Sequence, residues 1–460
     1  MAAGVDRRGG AVTVVDIHCH TFNGDDLPVK GFVKAVAGQR SQLARALAWA
    51  LADITRAMAS GADEIAELDR LIESGPGKDE GAEESAVSQA AADGEILLAR
   101  LELEQPGLAA AAGAEAADGR EPSSGDESFL GGLDDLRRYL RWVALFGKNR
   151  LALTRALIET YPEVDLFTPM LVDLQGLDDS PKTSTLQQLE LQEKISRLSI
   201  LGHLGAQVLP FVGFDPRRFG AVALVKLAVT EFGCVGVKMY PPMGSLPWGN
   251  RQSAVPGMTP EQALGVDDAL AALYDWCSEH DVPITAHGNP TQFAKRAYKD
   301  FSGPERWAAV LDEWGDLRLN LGHFGWSGRP EWPRRIAELT GVHHRLYADI
   351  GNHDLADLDD TIEVLDQIFT AQQEMRRRFM FGSDWYMVAS HLDFEHFLTR
   401  VRDAYLAKFP AQLDSFMGSA ALSFLGFDDP TNENNQRVRE RYTTYGATPP
   451  AWLATESDSP

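Results

Sequence analysis

Cysteine is scarce in this chain. Three in 460 residues, Cys19, Cys234 and Cys277, make no disulfide framework and no Cys-x-x-Cys pair. A small disulfide-stapled secreted fold is excluded, and a reducing cytoplasm is the expected compartment. Basic residues are short too: 43 Lys and Arg stand against 67 Asp and Glu, for a formal net charge of −24. That balance argues against nucleic acid or an anionic membrane surface as a partner. Long apolar runs are missing. None reaches the ~18 residues of a membrane span, and the first ten residues lack the apolar core of a secretory signal. What is present is enough apolar sequence, 44%, for a sizeable core.

Organisation follows from a repeated grammar. Val14-Val15-Asp16-Ile17-His18-Cys19-His20-Thr21 is a short apolar run that ends in His-x-His. Residues two apart on a strand point the same way, so His18 and His20 can aim two imidazoles at one point. Later runs end in a polar ligand-type residue followed by a Gly- or Pro-rich loop. Cys234–Pro241 offers Lys238, Val282–Gly288 offers His287, Leu317–His323 offers His323, and Phe379–Trp385 offers Asp384. Leu346–His353 carries polar groups without an evident ligand, and two further runs span Val164–Leu174 and Gln207–Phe214. These make eight strands, separated by amphipathic stretches such as Thr259–His280 and Asp354–Arg378. Strands alternating with helices predict a parallel sheet. Eight units predict a closed α/β barrel of the (β/α)8 TIM type, whose chemistry lies where strands end and loops begin. An open doubly wound sheet would not gather residues from strands one, four, five, six and eight.

The barrel is expected over 11–24 and 163–427. A bare barrel needs about 250 residues, and the surplus lies mainly in an insertion, 25–162, between strands one and two. Its ends read as helices: Leu43, Leu47, Leu51, Ile54 and Met58 recur at helical spacing, as do Leu136, Leu140, Val143 and Phe146. Its middle, about 74–128, is rich in Ala, Glu, Gly, Asp and Ser. Within it Glu83–Glu104 has partial helical character, whereas Ser74–Gly81 and Gly107–Ser128 read as disordered. The helical ends are expected to cap the barrel mouth, because a loop after strand one emerges on that face; the middle reads as a solvated loop. The tail, 428–460, reads as polar, with helical character over Arg437–Tyr442 and with Pro449, Pro450 and Trp452 available to anchor it to a neighbour.

The ordered set His-x-His, Lys, His, His, Asp on strands one, four, five, six and eight resembles the amidohydrolase superfamily. Phe381-Gly382-Ser383-Asp384-Trp385 and Phe416-Met417-Gly418-Ser419-Ala420-Ala421 resemble its amidohydrolase-2 branch, which also contains non-oxidative decarboxylases related to aminocarboxymuconate semialdehyde decarboxylase. The likeness covers Val14–Gly24 and Val164–Phe427 and leaves out the insertion and the tail.

A catalytic metal in a barrel takes neutral imidazoles and a carboxylate and keeps a position open. His18, His20, His287 and Asp384 are the expected ligands, with zinc first, manganese second, and one ion per chain. Asp384 is also expected to accept a proton from water. His323 resembles either a ligand of a second metal or an acid/base; acid/base is preferred, since histidine titrates near operating pH. Lys238 has three readings: a carbamate bridging two metals, an ion pair, or a cation that holds an anionic substrate. The flanking Gly-Val-Lys-Met-Tyr-Pro-Pro favours an unmodified lysine. Around these, Phe22, Asn23, Tyr240, Trp248, Arg251, Trp326, Arg329, Asn352, His353 and Trp385 are candidate substrate contacts at the loop mouths. Cys19 and His343 read as packing.

The expected activity is hydrolysis of an amide, lactone or ester of a small molecule by metal-activated water. The alternative is non-oxidative decarboxylation of an aromatic or unsaturated carboxylate on the same metal. Several decarboxylase relatives carry an acidic residue where this chain has His18, which favours hydrolysis. A third reading is a non-catalytic barrel with a structural metal and an interacting insertion. Assembly into a homo-oligomer stays open.

Overall fold

A computed structural model describes residues 13–29, 31, 42–56, 58–75, 85–109, 111, 132–174, 180–291, 296–326, 329–391 and 393–455. Strands β1 (Val15–Cys19) and β2 (Leu166–Pro169) lead to β3, which comes in two pieces, Gln207–Val208 and Phe211–Phe214. The break falls at Leu209-Pro210, where proline has no N–H to give the ladder. Then come β4 (Gly236–Met239), β5 (Ile284–His287), β6 (Leu319–Gly322), β7 (Leu346–Asp349) and β8 (Phe379–Met380).

All pairings are parallel and sequential. The two halves of the sheet are joined at both edges. Leu171 N donates to Phe211 O at 3.0 Å between β2 and β3. On the other side Ile17 N donates to Phe381 O at 3.2 Å, and Cys19 bridges Trp385. Eight parallel strands therefore close on themselves as an α/β barrel. Almost every strand residue is buried, as expected of parallel strands covered on both faces.

The covering helices start on local signals. Thr259 caps Pro260–Glu279, accepting from Gln262 N, with Pro260 at the first turn. That helix buries Ala263, Val266, Leu270, Leu273 and Cys277, which lie three and four apart. Gly418, in the closing Phe-Met-Gly-Ser segment, packs directly on the backbone that enters β1; a Cβ there would fall on the Thr13 carbonyl oxygen.

One expectation needs correction. The insertion holds five long helices among the described residues: Gln42–Ile54, Gly61–Ser74, Ala86–Glu104, Gly132–Leu145 and Arg150–Thr160. Ala86–Glu104 falls in the stretch whose composition reads as a solvated loop. Yet it buries Ala86, Ala90, Leu97, Leu98 and Leu101, and Gly94 lets it approach Arg141 of the next helix. Enough leucine sits on one face to bury, although the average composition is polar. Most of the segments expected to be disordered, 76–84 and 112–131, fall outside the described residues. In the tail, by contrast, a helix forms where Arg437–Tyr442 has helical character. Glu433–Thr444 is helical and buries Val438 and Tyr442 against the cluster that contains Val15, Ile17, Leu166 and Phe211. Trp452 stacks on Phe427 of the same chain at 5.7 Å.

Candidate metal centre

Three imidazoles reach the strand ends with one nitrogen each already committed. His20 Nδ1 lies 2.8 Å from the Met170 carbonyl. His18 Nδ1 faces both oxygens of Asp349, at 3.2 and 3.1 Å. His323 Nδ1 lies 2.9 Å from Gly351 O. Each partner is an acceptor, so each neutral ring carries its proton on Nδ1 and its lone pair on Nε2. His323 Nε2 meets His287 Nδ1 at 3.1 Å. His287 must therefore be the donor there, which leaves its Nε2 as a lone pair, and that atom is buried with no partner.

The result is a convergence of acceptors. His18 Nε2 and His20 Nε2 stand 3.6 and 3.0 Å from Asp384 Oδ1. These three residues form one group whose ligand atoms all lie within 4.8 Å of each other. A neutral His20 against a carboxylate is acceptor against acceptor, which a shared cation relieves. Lys238 Nζ is the cation at hand, 2.8 Å from His18 Nε2. His18, His20 and Asp384 offer two neutral-capable imidazoles, each oriented by a second partner, and a carboxylate, a set that suits a divalent transition metal.

Electrostatics support the same protonation states. Burial, then the Lys238 charge, pushes His18 down to about 4, against the pull of Asp349. Burial and neighbouring His323 hold His287 well below the ordinary histidine range. Burial would raise Asp384, but its contacts with His20 and His18 outweigh it and hold the carboxyl below the ordinary carboxylate range. Burial lowers Lys238 to about 8, against the raising influence of Asp384 and Asp349. Strain marks the same rim: His323, Phe324, Asn352 and Asp384 all have positive φ, from 51° to 63°, and such backbone concentrates at functional sites.

The remaining candidates divide. Phe22 packs on His20 at 5.2 Å and Tyr240 on His287 at 4.4 Å; Trp326 packs on His353 at 4.7 Å. His353 is buried and pushed by burial down to about 3. Asn352 is half-buried, with Oδ1 unpartnered. Trp385 is fully buried behind β1, so it is packing rather than wall.

Four others stand elsewhere in the fold or are engaged in it. Asn23 caps the short turn Gly24–Asp26 and donates to Lys148 O at 3.1 Å. Trp248 packs on Trp314 at 4.9 Å. Arg251 lies 3.6 Å from Asp267, and Arg329 donates to both oxygens of Asp300 at 2.8 Å. Sequence reasoning missed Asp349. Asp16, two residues before His18 on β1, is held by Ser383 N and Oγ at 2.9 and 2.6 Å.

The family model described as Amidohydrolase matches residues 201–427, a stretch that includes Lys238, His287, His323, Asp349 and Asp384 but not His18 and His20. No protein of curated function matches the chain. Among solved structures, an uncharacterized TIM-barrel protein from Bordetella bronchiseptica is 16% identical, with TM-score 0.40, covering 59% of this chain and 83% of its own. A zinc-bound amidohydrolase from Burkholderia multivorans is 12% identical, with TM-score 0.41, covering 62% and 91%. A 4-oxalomesaconate hydratase from Rhodopseudomonas palustris is 13% identical, with TM-score 0.41, covering 79% and 95%. At this level of similarity the neighbours' activities do not transfer. The family match over 201–427, just under half of the chain, supports the amidohydrolase-2 branch and an enzyme of the amidohydrolase type.

Proposed function

We propose that this enzyme hydrolyses an amide, lactone or ester of a small organic substrate with one divalent metal, zinc, held by His18, His20, His287 and Asp384. One observation carries the reading: His18, His20 and His287 each turn an Nε2 lone pair away from an Nδ1 that is already bonded, and Asp384 Oδ1 faces the first two. A divalent cation satisfies all of these acceptors at once. When bound there, a divalent metal supplies Lewis-acid chemistry, acidifying water and polarising a carbonyl oxygen.

The chain's own groups supply the rest. Asp384, held ionised, takes the proton of the attacking water through the oxygen not engaged by the imidazoles. His323 orients His287 through its Nε2 and is itself oriented by Gly351 O. His323 is therefore a positioning residue for His287 in this geometry rather than a free acid/base. Lys238 Nζ, buried beside His18, places one positive charge where negative charge develops on the substrate oxygen. Phe22, Tyr240 and Trp326 exclude water from the rim.

The test is metal content with turnover of an ester, lactone and amide panel, on wild type and on His20→Ala and His287→Ala. About one zinc per chain, an unmodified Lys238, and loss of both metal and turnover in the variants are expected. Two ions per chain bridged by density from Lys238 would refute the single-metal assignment. Carbon dioxide release from carboxylates without hydrolysis would refute the reaction type. Full activity after chelation would refute both.

A further inference from the structure

Strand β7 has no ligand in the proposed set, yet it ends in Asp349, a fully buried carboxylate among the strand ends. Four donors point at it. His323 N and Gly351 N donate to Oδ1 at 3.1 and 2.9 Å. Asn320 Nδ2 donates to Oδ2 at 2.7 Å. His18 Nδ1 spans both oxygens. The imidazole it meets sits in a slot built from glycine. A Cβ at Gly322 would lie 2.9 Å from His18 Cε1, one at Gly351 3.2 Å from Nδ1, and one at Gly382 2.7 Å from His18 Cβ. Three strand ends thus give up a side chain to let one ring lie flat, and a fourth group, the carboxylate, fixes which nitrogen bears the proton.

We infer that Asp349 is a positioning residue that acts through His18, locking its Nδ1–H tautomer so that the Nε2 lone pair faces the metal site. The inference rests on the metal reading above for its purpose, but its chemistry is local. The same carboxylate accepts from the backbone N–H of His323, so it sets two of the site's imidazoles from one point. Carboxylate partners of this kind raise ligand basicity and fix ring orientation, and their loss typically costs about 10–100-fold in metal affinity or activity.

Asp349→Asn gives a specific outcome because the shell is asymmetric. Two backbone N–H groups hold the Oδ1 position, so the amide oxygen must stay there. The amide nitrogen then takes the Oδ2 position, where the Asn320 amide turns its unpartnered oxygen to meet it, and presents N–H to His18 Nδ1, which lies nearer that position. His18 meets it with a lone pair, which moves its proton to Nε2, toward Lys238 Nζ and the site.

The experiment is long-range 1H–15N correlation on the full chain with 15N-labelled histidine, His18 being assigned by its loss in His18→Gln, together with zinc titration. The metal-free wild type should show His18 as the Nδ1–H tautomer. Asp349→Asn should show Nε2–H and bind zinc about 10–100-fold more weakly. A role in folding alone would lower the melting temperature without moving the tautomer. A wild-type His18 protonated on Nε2 overturns the inference and needs no variant. So does a folded Asp349→Asn with unchanged tautomer or unchanged zinc affinity. If the wild type binds no metal, the hydrolase reading falls, while the tautomer read in metal-free protein still decides the role of Asp349.

Discussion

Arg150→Ala is expected to be among the most damaging single changes outside the metal centre. Arg150 is buried where the insertion rejoins the barrel. Its guanidinium donates to Asp26 at 2.9 and 2.6 Å, to Glu64 at 2.8 Å and to Thr183 at 3.0 Å. Asp26 belongs to the turn after β1, Glu64 to the helix Gly61–Ser74, and Thr183 lies just before the helix Thr185–Ile200. One cation therefore holds together two insertion helices, the loop after β1 and the approach to a barrel helix. Both acids are buried, and desolvation already holds Glu64 above the ordinary carboxylate range despite Arg150.

Truncating Arg150 leaves two like charges buried without a counter-ion. Breaking such a pair costs about 3–5 kcal/mol. With a denaturant slope of about 3 kcal/mol per molar, the urea midpoint should fall by roughly 1–2 M. The sign of the pH dependence follows. Without the guanidinium the Glu64 carboxyl rises further in the folded state, above its unfolded value, so the folded state binds more protons than the unfolded. Stability is then present at low pH and lost as pH rises through the raised folded value. The deficit of Arg150→Ala should be smaller near pH 5 than near pH 8, as read by urea titration with tryptophan fluorescence. Adding Glu64→Gln should destabilise the wild type yet stabilise Arg150→Ala, because it removes one of the stranded charges. A deficit below about 1 kcal/mol, or one equal at both pH values, would refute the reasoning, since an exposed pair contributes only that much.

Gly322→Ala should press on the His18 ring from 2.9 Å; a loss of about 1–3 kcal/mol in stability is expected from overpacking, with zinc affinity falling more than in an alanine placed at an exposed glycine such as Gly265. Leu101→Ala, in the helix Ala86–Glu104, should cost about 2–5 kcal/mol; a cost near zero in the same urea assay would return that helix to the solvated loop its composition suggests.

The parts of this molecule that could be read from the sequence are those where one residue type at one strand position has few uses. His18 and His20 at the end of an apolar run, and single ligand-type residues ending four later runs, mark strand ends. The parallel barrel follows from their order. Asp349 was hidden for the opposite reason. Leu-Tyr-Ala-Asp at the end of β7 looks like any strand running into a turn, and only the fold brings its carboxylate to a histidine 331 positions away. The one available signal was Asp349 itself, an acid at the end of a buried strand.

Loop residues misled because their chemistry is common to packing and to binding. Asn23 caps a turn, and Arg251 and Arg329 lie against acids of their own neighbourhood. In the insertion, average composition concealed a leucine face that becomes apparent only when Leu97, Leu98 and Leu101 are counted along a helix.

The proton positions at the centre depend almost wholly on the barrel. Met170 O, Gly351 O and the Asp349 carboxylate set the tautomers of His20, His323 and His18, and each belongs to a strand end or the residue just past one. The insertion supplies none of them. It reaches the site through one aromatic layer: Phe146, just past the helix Gly132–Leu145, lies 6.3 Å from Phe22 and 5.0 Å from Tyr386, and Phe22 in turn covers His20. The Tyr386 hydroxyl closes that layer by donating to Phe22 O at 2.8 Å. Metal binding and substrate fit are thereby separated in space. Changes in the insertion act on the wall that a substrate touches while the strand-end acceptors hold the ligand nitrogens in place, so the insertion can vary what the enzyme accepts without disturbing how the imidazoles are set.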